Sequence, residues 1–174
     1  MNRVAEYVLF FVATVLLQVL LFDNINISSY LYPLFYVAFI VLLPVDIKPA
    51  VSIISSFLLG VSVDLLSGTV GLGAIASTAT AFVRPAVINV TIGREVIHET
   101  GMPSPSGRDR GRWLRYAVAL IAFHCTVFFL FEAATFKYIW FTLLRILGSV
   151  TVTSLLVWAV ASLVPIGRAR SGQS

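Results

Sequence analysis

Long apolar runs fill most of this chain and constrain its fold more than any other feature. Of its 174 residues, 59% are hydrophobic and 11% are charged, whereas a soluble domain carries about 25% charged residues. A helix of about 20 apolar residues crosses the hydrocarbon core of a bilayer. The sequence therefore predicts a polytopic membrane protein. It excludes a soluble globular domain, a disordered chain and a disulfide-rich secreted scaffold.

Six of the apolar runs fit transmembrane helices, namely residues 4–22, 30–45, 50–66, 70–90, 113–131 and 140–164. Helices are predicted because backbone groups that face lipid must be hydrogen-bonded within their own segment. We expect one all-α domain over residues 1–174, a bundle of six transmembrane helices. Five spans is the alternative count. Between the third and fourth runs, a single re-entrant element is the alternative to a tight helical hairpin.

Basic residues are distributed unevenly over the predicted topology. If the N-terminus is cytoplasmic and six spans follow, ten basic residues lie inside, and only Lys137 and Arg145 lie outside. Cytoplasmic loops of membrane proteins carry an excess of Lys and Arg. The charge pattern thus favours an even number of spans with both termini in the cytoplasm.

The longest predicted loop, about residues 91–112, is rich in glycine and proline, a composition typical of irregular and mobile segments. Its arginines include Arg108, Arg110 and Arg112. On the cytoplasmic side each would attract anionic lipid headgroups, by about 1 kcal/mol near the surface. We interpret them mainly as topology determinants. A docking surface for a cytoplasmic partner is the alternative.

The third and fourth spans carry matching stripes of small and polar residues at a spacing of four or close to it, which are Ser52, Ser56, Gly60 and Asp64, then Gly73 and Ser77. Such stripes let two helices approach closely in lipid. We therefore expect the two spans to pack face to face. Asp64 then points into the bundle, where it can accept backbone N–H groups of the turn from Gly68 through Gly71 to Gly73. Proton or substrate chemistry at Asp64 is the alternative.

Other polar residues give weaker signals. Arg84 precedes Pro85 at the end of an apolar stretch, and we expect its side chain to extend to the cytoplasmic headgroups, with partner contact as the alternative. His124 and Cys125 are adjacent, so they point in different directions on a helix. Glu132 lies at a predicted span end. No spacing of metal ligands occurs, and the sequence predicts no cofactor, no catalytic residue and no nucleic-acid partner.

Residues 59–74 resemble a segment of the MreD family of bacterial rod shape-determining proteins. That family has a Gly-x-x-x-Asp pair at the end of a span, then a glycine-bearing turn and a small-residue helix that ends near an arginine. Here these features are Gly60 and Asp64, Gly68 and Gly71, and Arg84. The motif covers about 35 residues, and the length and predicted topology agree over nearly the whole chain.

The resemblance implies a non-enzymatic subunit of the cell-elongation machinery in the bacterial inner membrane. Such a subunit would bind the scaffold protein MreC. Directly or through MreC it would associate with MreB, the glycosyltransferase RodA and a class B penicillin-binding protein. The family has no match to the Gly/Pro/Arg-rich loop, so the role of that loop stays open.

The MreD family also resembles, in topology, the substrate-binding subunits of energy-coupling-factor vitamin transporters, so a small-molecule transport subunit is the alternative function. Those subunits present an Ala-x-x-x-Ala surface on their first span. Here Ala5 and Ala13 have Leu9 between them, which breaks the pattern. A vitamin site would also need several convergent polar groups. An intramembrane enzyme is the third and least favoured class.

Overall fold

A computed structural model of the chain describes residues 3–22, 32–45, 47–69, 71–93, 95–97, 109–133 and 139–163. Its helices are α1 (Arg3–Leu17), which continues as the π-helical turn Gln18–Phe22, α2 (Val37–Leu42), α3 (Pro49–Ser67), α4 (Leu72–Thr91), α5 (Arg110–Ala133) and α6 (Ile139–Leu163). No strand occurs within these ranges, so the all-α prediction is confirmed for the described residues.

Four helical stretches are long and apolar enough to cross a membrane: Ala5–Phe22, Pro49–Ser67, Arg110–Ala133 and Ile139–Leu163. Helix α4 has 20 residues, but Arg84 and several Ser and Thr side chains make it less apolar than the four. Large apolar side chains cover the outer faces, with Leu65 79% and Val90 87% exposed. Outer faces of this kind suit lipid, and the fold is that of a helical membrane protein.

The predicted helix over residues 30–45 is wrong in length. Only Val37–Leu42 is helical within the described part of this stretch, and six residues span only about 9 Å. Nearly all side chains from Pro33 to Val41 are buried. Irregular backbone is tolerated at membrane depth where protein surrounds it. The sequence predicted a transmembrane helix here because burial inside a bundle and burial in lipid produce the same apolar composition.

Helix α1 packs alongside this segment in the antiparallel direction. The rings of Phe22 and Phe35 lie 5.3 Å apart, and those of Phe11 and Phe39 lie 5.4 Å apart. Near the end of α1, Gln18 is fully buried. Its side-chain amide donates to the carbonyl of Pro33 at 3.2 Å and accepts the N–H of Tyr36 at 3.3 Å. One side chain thus replaces two hydrogen bonds that a continuous helix would have made itself.

Helix α6 supplies two further acceptors to the same segment. The hydroxyl oxygen of Ser149 accepts the N–H of Tyr32 at 3.3 Å, and that of Thr153 accepts the N–H of Leu34 at 3.2 Å. Both hydroxyl residues are fully buried. Side chains of α1 and α6 therefore hold the extended start of the segment, because its own backbone forms no helix there.

Thr153→Val tests this arrangement with almost no change in volume. The buried N–H of Leu34 loses its acceptor, and an unsatisfied buried group costs about 1–3 kcal/mol. We expect a clear fall in the thermal unfolding temperature in mild detergent. Thr151→Val is the matched control, because Thr151 is exposed two residues away and its hydroxyl donates only to its own helix. Equal effects of the two variants would contradict the account.

Helix α4 packs more extensively against α3 and α5 than any other described helix pairs do. It lies between them and carries three buried polar side chains, Ser77, Thr80 and Arg84. The residues that the sequence singled out therefore meet on α4 and its two neighbours.

Candidate functional site

The carboxylate of Asp64 joins α3 to α4. Its Oδ1 accepts the N–H of Gly73 at 2.9 Å and the hydroxyl of Thr69 at 2.5 Å, and its Oδ2 accepts the N–H of Ala74 at 2.8 Å. The side chain is 5% exposed. The first N–H groups of a helix lack partners within it, and the dipole of the helix favours a negative charge there. Asp64 therefore caps the N-terminus of α4 from the preceding helix, as its position in the sequence predicted.

The turn between the helices brings Asp64 into this position. Gly68 ends α3 in the left-handed region with φ of 71°, and Gly71 precedes α4 with φ of 75°. Residues other than glycine rarely adopt such φ angles. The backbone carbonyl of Asp64 also accepts the N–H groups of Gly68 and Thr69. Both the carboxylate and the backbone carbonyl of Asp64 thus accept hydrogen bonds from the described residues of this short turn.

The two helices approach closely at Gly60. A Cβ on Gly60 would lie 2.5 Å from Cα of Ala74 and 2.5 Å from the carbonyl oxygen of Gly73. A Cβ on Gly73 would lie 2.7 Å from Oδ1 of Asp64. At Gly60 the opposing atoms are backbone and cannot move aside as a flexible side chain can. At Gly73 the opposing carboxylate of Asp64 is held by three hydrogen bonds, so a side chain there would disturb them.

The remaining residues of the predicted stripes are buried. They are Ser52 and Ser56 of α3 and Ser77 of α4. The close contacts between the two helices are made at Gly60, Asp64 and Gly73.

Asp64→Asn should be milder than Asp64→Leu. The amide oxygen of Asn can still accept from Gly73 and Thr69, whereas its NH₂ group would face the N–H of Ala74. Leucine leaves all three donors unpaired, and each buried one costs about 1–3 kcal/mol. We expect Asp64→Leu to reduce the amount of folded protein in the membrane strongly, and Asp64→Asn to reduce it partly. Loss of function in Asp64→Asn at an unchanged protein level would show instead that the charge itself is needed.

Arg84 does not extend to the lipid headgroups, and that prediction is wrong. The residue is 3% exposed. Its guanidinium donates to the carbonyl of Leu43, to that of Pro44 at 3.4 Å, and from Nε to the hydroxyl of Tyr116 at 2.9 Å. The irregular backbone after α2 presents free carbonyls at this depth, and the planar guanidinium binds several of them at once.

Tyr116 connects Arg84 to the same segment a second time. Its hydroxyl accepts from Arg84 and donates to the carbonyl of Val41 at 3.1 Å. Arg84 thus holds the end of the segment from α4, and Tyr116 holds it from α5. Asp64 pairs with the first turn of α4, and Arg84 lies about 15 Å further along that helix at 1.5 Å per residue. The two charges therefore do not form an ion pair.

His124 lies on α5 between these two charged residues. Its Nδ1 is 3.0 Å from the hydroxyl oxygen of Thr80. Its ring meets that of Tyr36 edge to face, with centroids 5.1 Å apart. His124 is fully buried. A buried polar axis, defined as Asp64, Thr80, His124, Arg84 and Tyr116, therefore runs through α3, α4 and α5.

Two of the predicted partner-contact arginines, Arg110 and Arg112, lie apart from this axis. Arg110 is exposed, and its guanidinium lies 4.8 Å from the ring centre of Trp158. Arg112 forms an ion pair with Asp109 at 3.5 Å. Arg108 and most of the loop over residues 91–112 lie outside the described residues, so the predicted mobility of the loop is not tested.

Glu132 lies near the end of α5, about two turns beyond His124. It pairs with Arg145 of α6 at 3.0 Å, at a half-exposed position. No group of three potential metal ligands occurs among the described residues. The hydrogen bonds of the buried polar axis join one helix to another or hold irregular backbone, and these are stabilising contacts within the fold.

Comparisons with known proteins add nothing to these observations. No protein-family model, no curated protein and no solved structure matches the chain significantly. The site must therefore be interpreted from its own geometry.

The sequence did not single out Gln18, Tyr116, Ser149 or Thr153. A signal existed, because polar side chains within apolar spans commonly bond to neighbouring helices. Their partners are backbone groups of residues 32–45, and a stretch predicted as a regular helix offers no such groups.

Proposed function

We propose that this chain is a non-enzymatic scaffold subunit of the bacterial cell-elongation machinery, embedded in the inner membrane. The observation that carries the proposal is the packing of α3 against α4 and the turn between them. Gly60, Asp64, Gly68 and Gly71, together with Arg84 further along α4, are the residues through which the sequence resembles the MreD family. In the structure all of them serve close packing, turn geometry or internal hydrogen bonds.

The polar groups of this motif are therefore engaged in building a rigid bundle. Both carboxylate oxygens of Asp64 accept hydrogen bonds from the chain itself. The guanidinium of Arg84 binds backbone carbonyls and Tyr116. A rigid bundle with an apolar outer face suits a protein that binds other membrane proteins, and it does not require a reacting group.

Six passes across the membrane are part of the proposal. Five would be α1, α3, α4, α5 and α6, and the sixth would be the irregular segment 32–45 inside the bundle. Both termini would then lie in the cytoplasm. This arrangement keeps the topology expected from the resemblance, including the likeness to energy-coupling-factor subunits, with one helix replaced by the irregular segment.

In this function the chain would bind MreC and, directly or through it, MreB, RodA and a class B penicillin-binding protein. Arg110, Arg112 and Arg108 would face anionic lipid headgroups or a cytoplasmic partner. The role would be to position peptidoglycan synthases and so maintain cell shape.

Affinity purification of the tagged chain from its native membrane in mild detergent tests the proposal. Mass spectrometry of the co-purifying proteins should identify MreC together with a cell-wall synthase. An untagged strain and an unrelated tagged polytopic protein are the controls. Recovery of an ATP-binding cassette pair with its membrane coupling subunit, without MreC, would contradict the scaffold and support the transport alternative.

A further inference from the structure

Several buried polar atoms around α4 have no hydrogen-bond partner in the part of the chain that the structure describes. They include Nε2 of His124 and the hydroxyl oxygens of Ser56 and Ser77. All three residues are 0% exposed. Native interiors leave few polar atoms unpaired, and a bound water is the usual partner where the protein provides none.

Ser56 and Ser77 differ from a neighbouring hydroxyl residue of the same helix. The hydroxyl of Ser62 on α3 and that of Thr78 on α4 each donate to the carbonyl four residues earlier. Ser56 and Ser77 make no such bond. Their capacity to donate and accept is thus unused by the helices that carry them.

The hydrogen bonds of Thr80 determine which nitrogen of His124 carries the proton. The hydroxyl of Thr80 donates to the carbonyl oxygen of Ala76 at 2.6 Å, since a carbonyl oxygen has no proton to give. The Thr80 oxygen must then accept from Nδ1 of His124. In the neutral imidazole the other nitrogen is an acceptor. Nε2 is therefore a buried acceptor that needs a donor.

Ser77 lies one turn before Thr80 on α4. The ring of Tyr36 packs on His124, and its hydroxyl would lie 3.3 Å from a Cβ on Gly73. Tyr36 therefore extends along α4 from the level of Thr80 toward Gly73. Ser77 comes between these two positions on the same buried side of the helix.

Ser56 faces the same place from α3. Gly60 contacts the backbone of Gly73 and Ala74, and the two helices are antiparallel. Ser56 lies one turn before Gly60 on α3, and Ser77 lies one turn after Gly73 on α4. Because the helices are antiparallel, Ser56 is therefore opposite Ser77.

We propose that ordered water binds inside the bundle between His124, Ser77 and Ser56. A water molecule can donate to Nε2 of His124 and exchange hydrogen bonds with both serine hydroxyls. Three partners are typical of a buried water. The inference does not depend on the proposed function.

Radiolytic footprinting of the protein in mild detergent tests the proposal. X-ray pulses produce hydroxyl radicals from bound as well as bulk water, so a buried side chain next to an ordered water is oxidised. The readout is oxidation of Tyr36 and His124 by mass spectrometry, corrected for intrinsic reactivity. Phe39 is the control, because it is aromatic, 4% exposed and packed against the rings of Phe10 and Phe11.

We expect Tyr36 and His124 to be oxidised several-fold faster than Phe39. Ser77→Val should slow the oxidation of Tyr36 and leave Phe39 unchanged, because the added methyl groups displace water. A misfolded variant would expose Phe39 and reveal itself. Equal slow oxidation of all three residues in the unaltered protein would overturn the proposal. Equal fast oxidation would overturn it as well, since the interior would then be generally wet.

Discussion

Arg84→Met should destabilise the folded protein by about 3 kcal/mol or more, since a hydrogen bond to a charged group contributes about 1.5–3 kcal/mol. Methionine keeps most of the volume of the side chain and removes every donor. The carbonyls of Leu43 and Pro44 and the hydroxyl of Tyr116 would lose the group that holds them. The segment 32–45 forms no regular helix at this point, so its own backbone offers no replacement.

The measurement is the thermal unfolding temperature in mild detergent, together with the amount of folded protein in the membrane. Arg115→Met is the matched control, because Arg115 lies exposed on α5 and donates only to a carbonyl of its own helix. Arg84→Lys should fall between the two, since an ammonium cannot reproduce the planar fork. If Arg84→Met unfolds at the same temperature as Arg115→Met, then Arg84 does not hold the segment.

Gly60→Ala should be the most damaging single-methyl change in the chain, and Gly60→Leu should prevent folding. Overpacking a tight interior costs about 1–3 kcal/mol and sometimes more. Here the added carbon would meet the backbone of Gly73 and Ala74. To relieve the overlap, α3 and α4 must separate, and that movement would also stretch the hydrogen bonds of Asp64. We therefore expect the free energy of unfolding to fall by about 3 kcal/mol or more.

Gly111→Ala provides the control for this substitution. A Cβ on Gly111 would meet nothing within 4 Å, and alanine is the better helix former. This variant should unfold at the original temperature or slightly above it. Comparable unfolding temperatures for Gly60→Ala and Gly111→Ala would show that α3 and α4 do not pack as described.

The packing of α3 against α4 could be predicted from the sequence because it depends on local spacing. Residues four apart share one face of a helix, and a linker of a few residues fixes the two helices side by side. Asp64 and its backbone donors are only nine and ten residues apart. Periodicity and a short turn were therefore sufficient.

The irregular segment 32–45 could not be predicted in the same way. Its acceptors Ser149 and Thr153 are 117 and 119 residues away from Tyr32 and Leu34. The position of Arg84 near the end of an apolar stretch suggested the lipid interface. Its burial depends instead on free carbonyls of Leu43 and Pro44, which exist only because the helix before them is short.

The measurement that tests the proposed function most directly is depletion of the chain in its native cell, followed by imaging of cell shape and of newly inserted peptidoglycan. The account predicts that cells widen and become round, and that insertion along the side wall is lost. Arg115→Met should restore the shape, and Gly60→Leu should not. Cells that keep their shape and lateral wall synthesis after depletion, or that are rescued by added vitamins, would contradict the scaffold function.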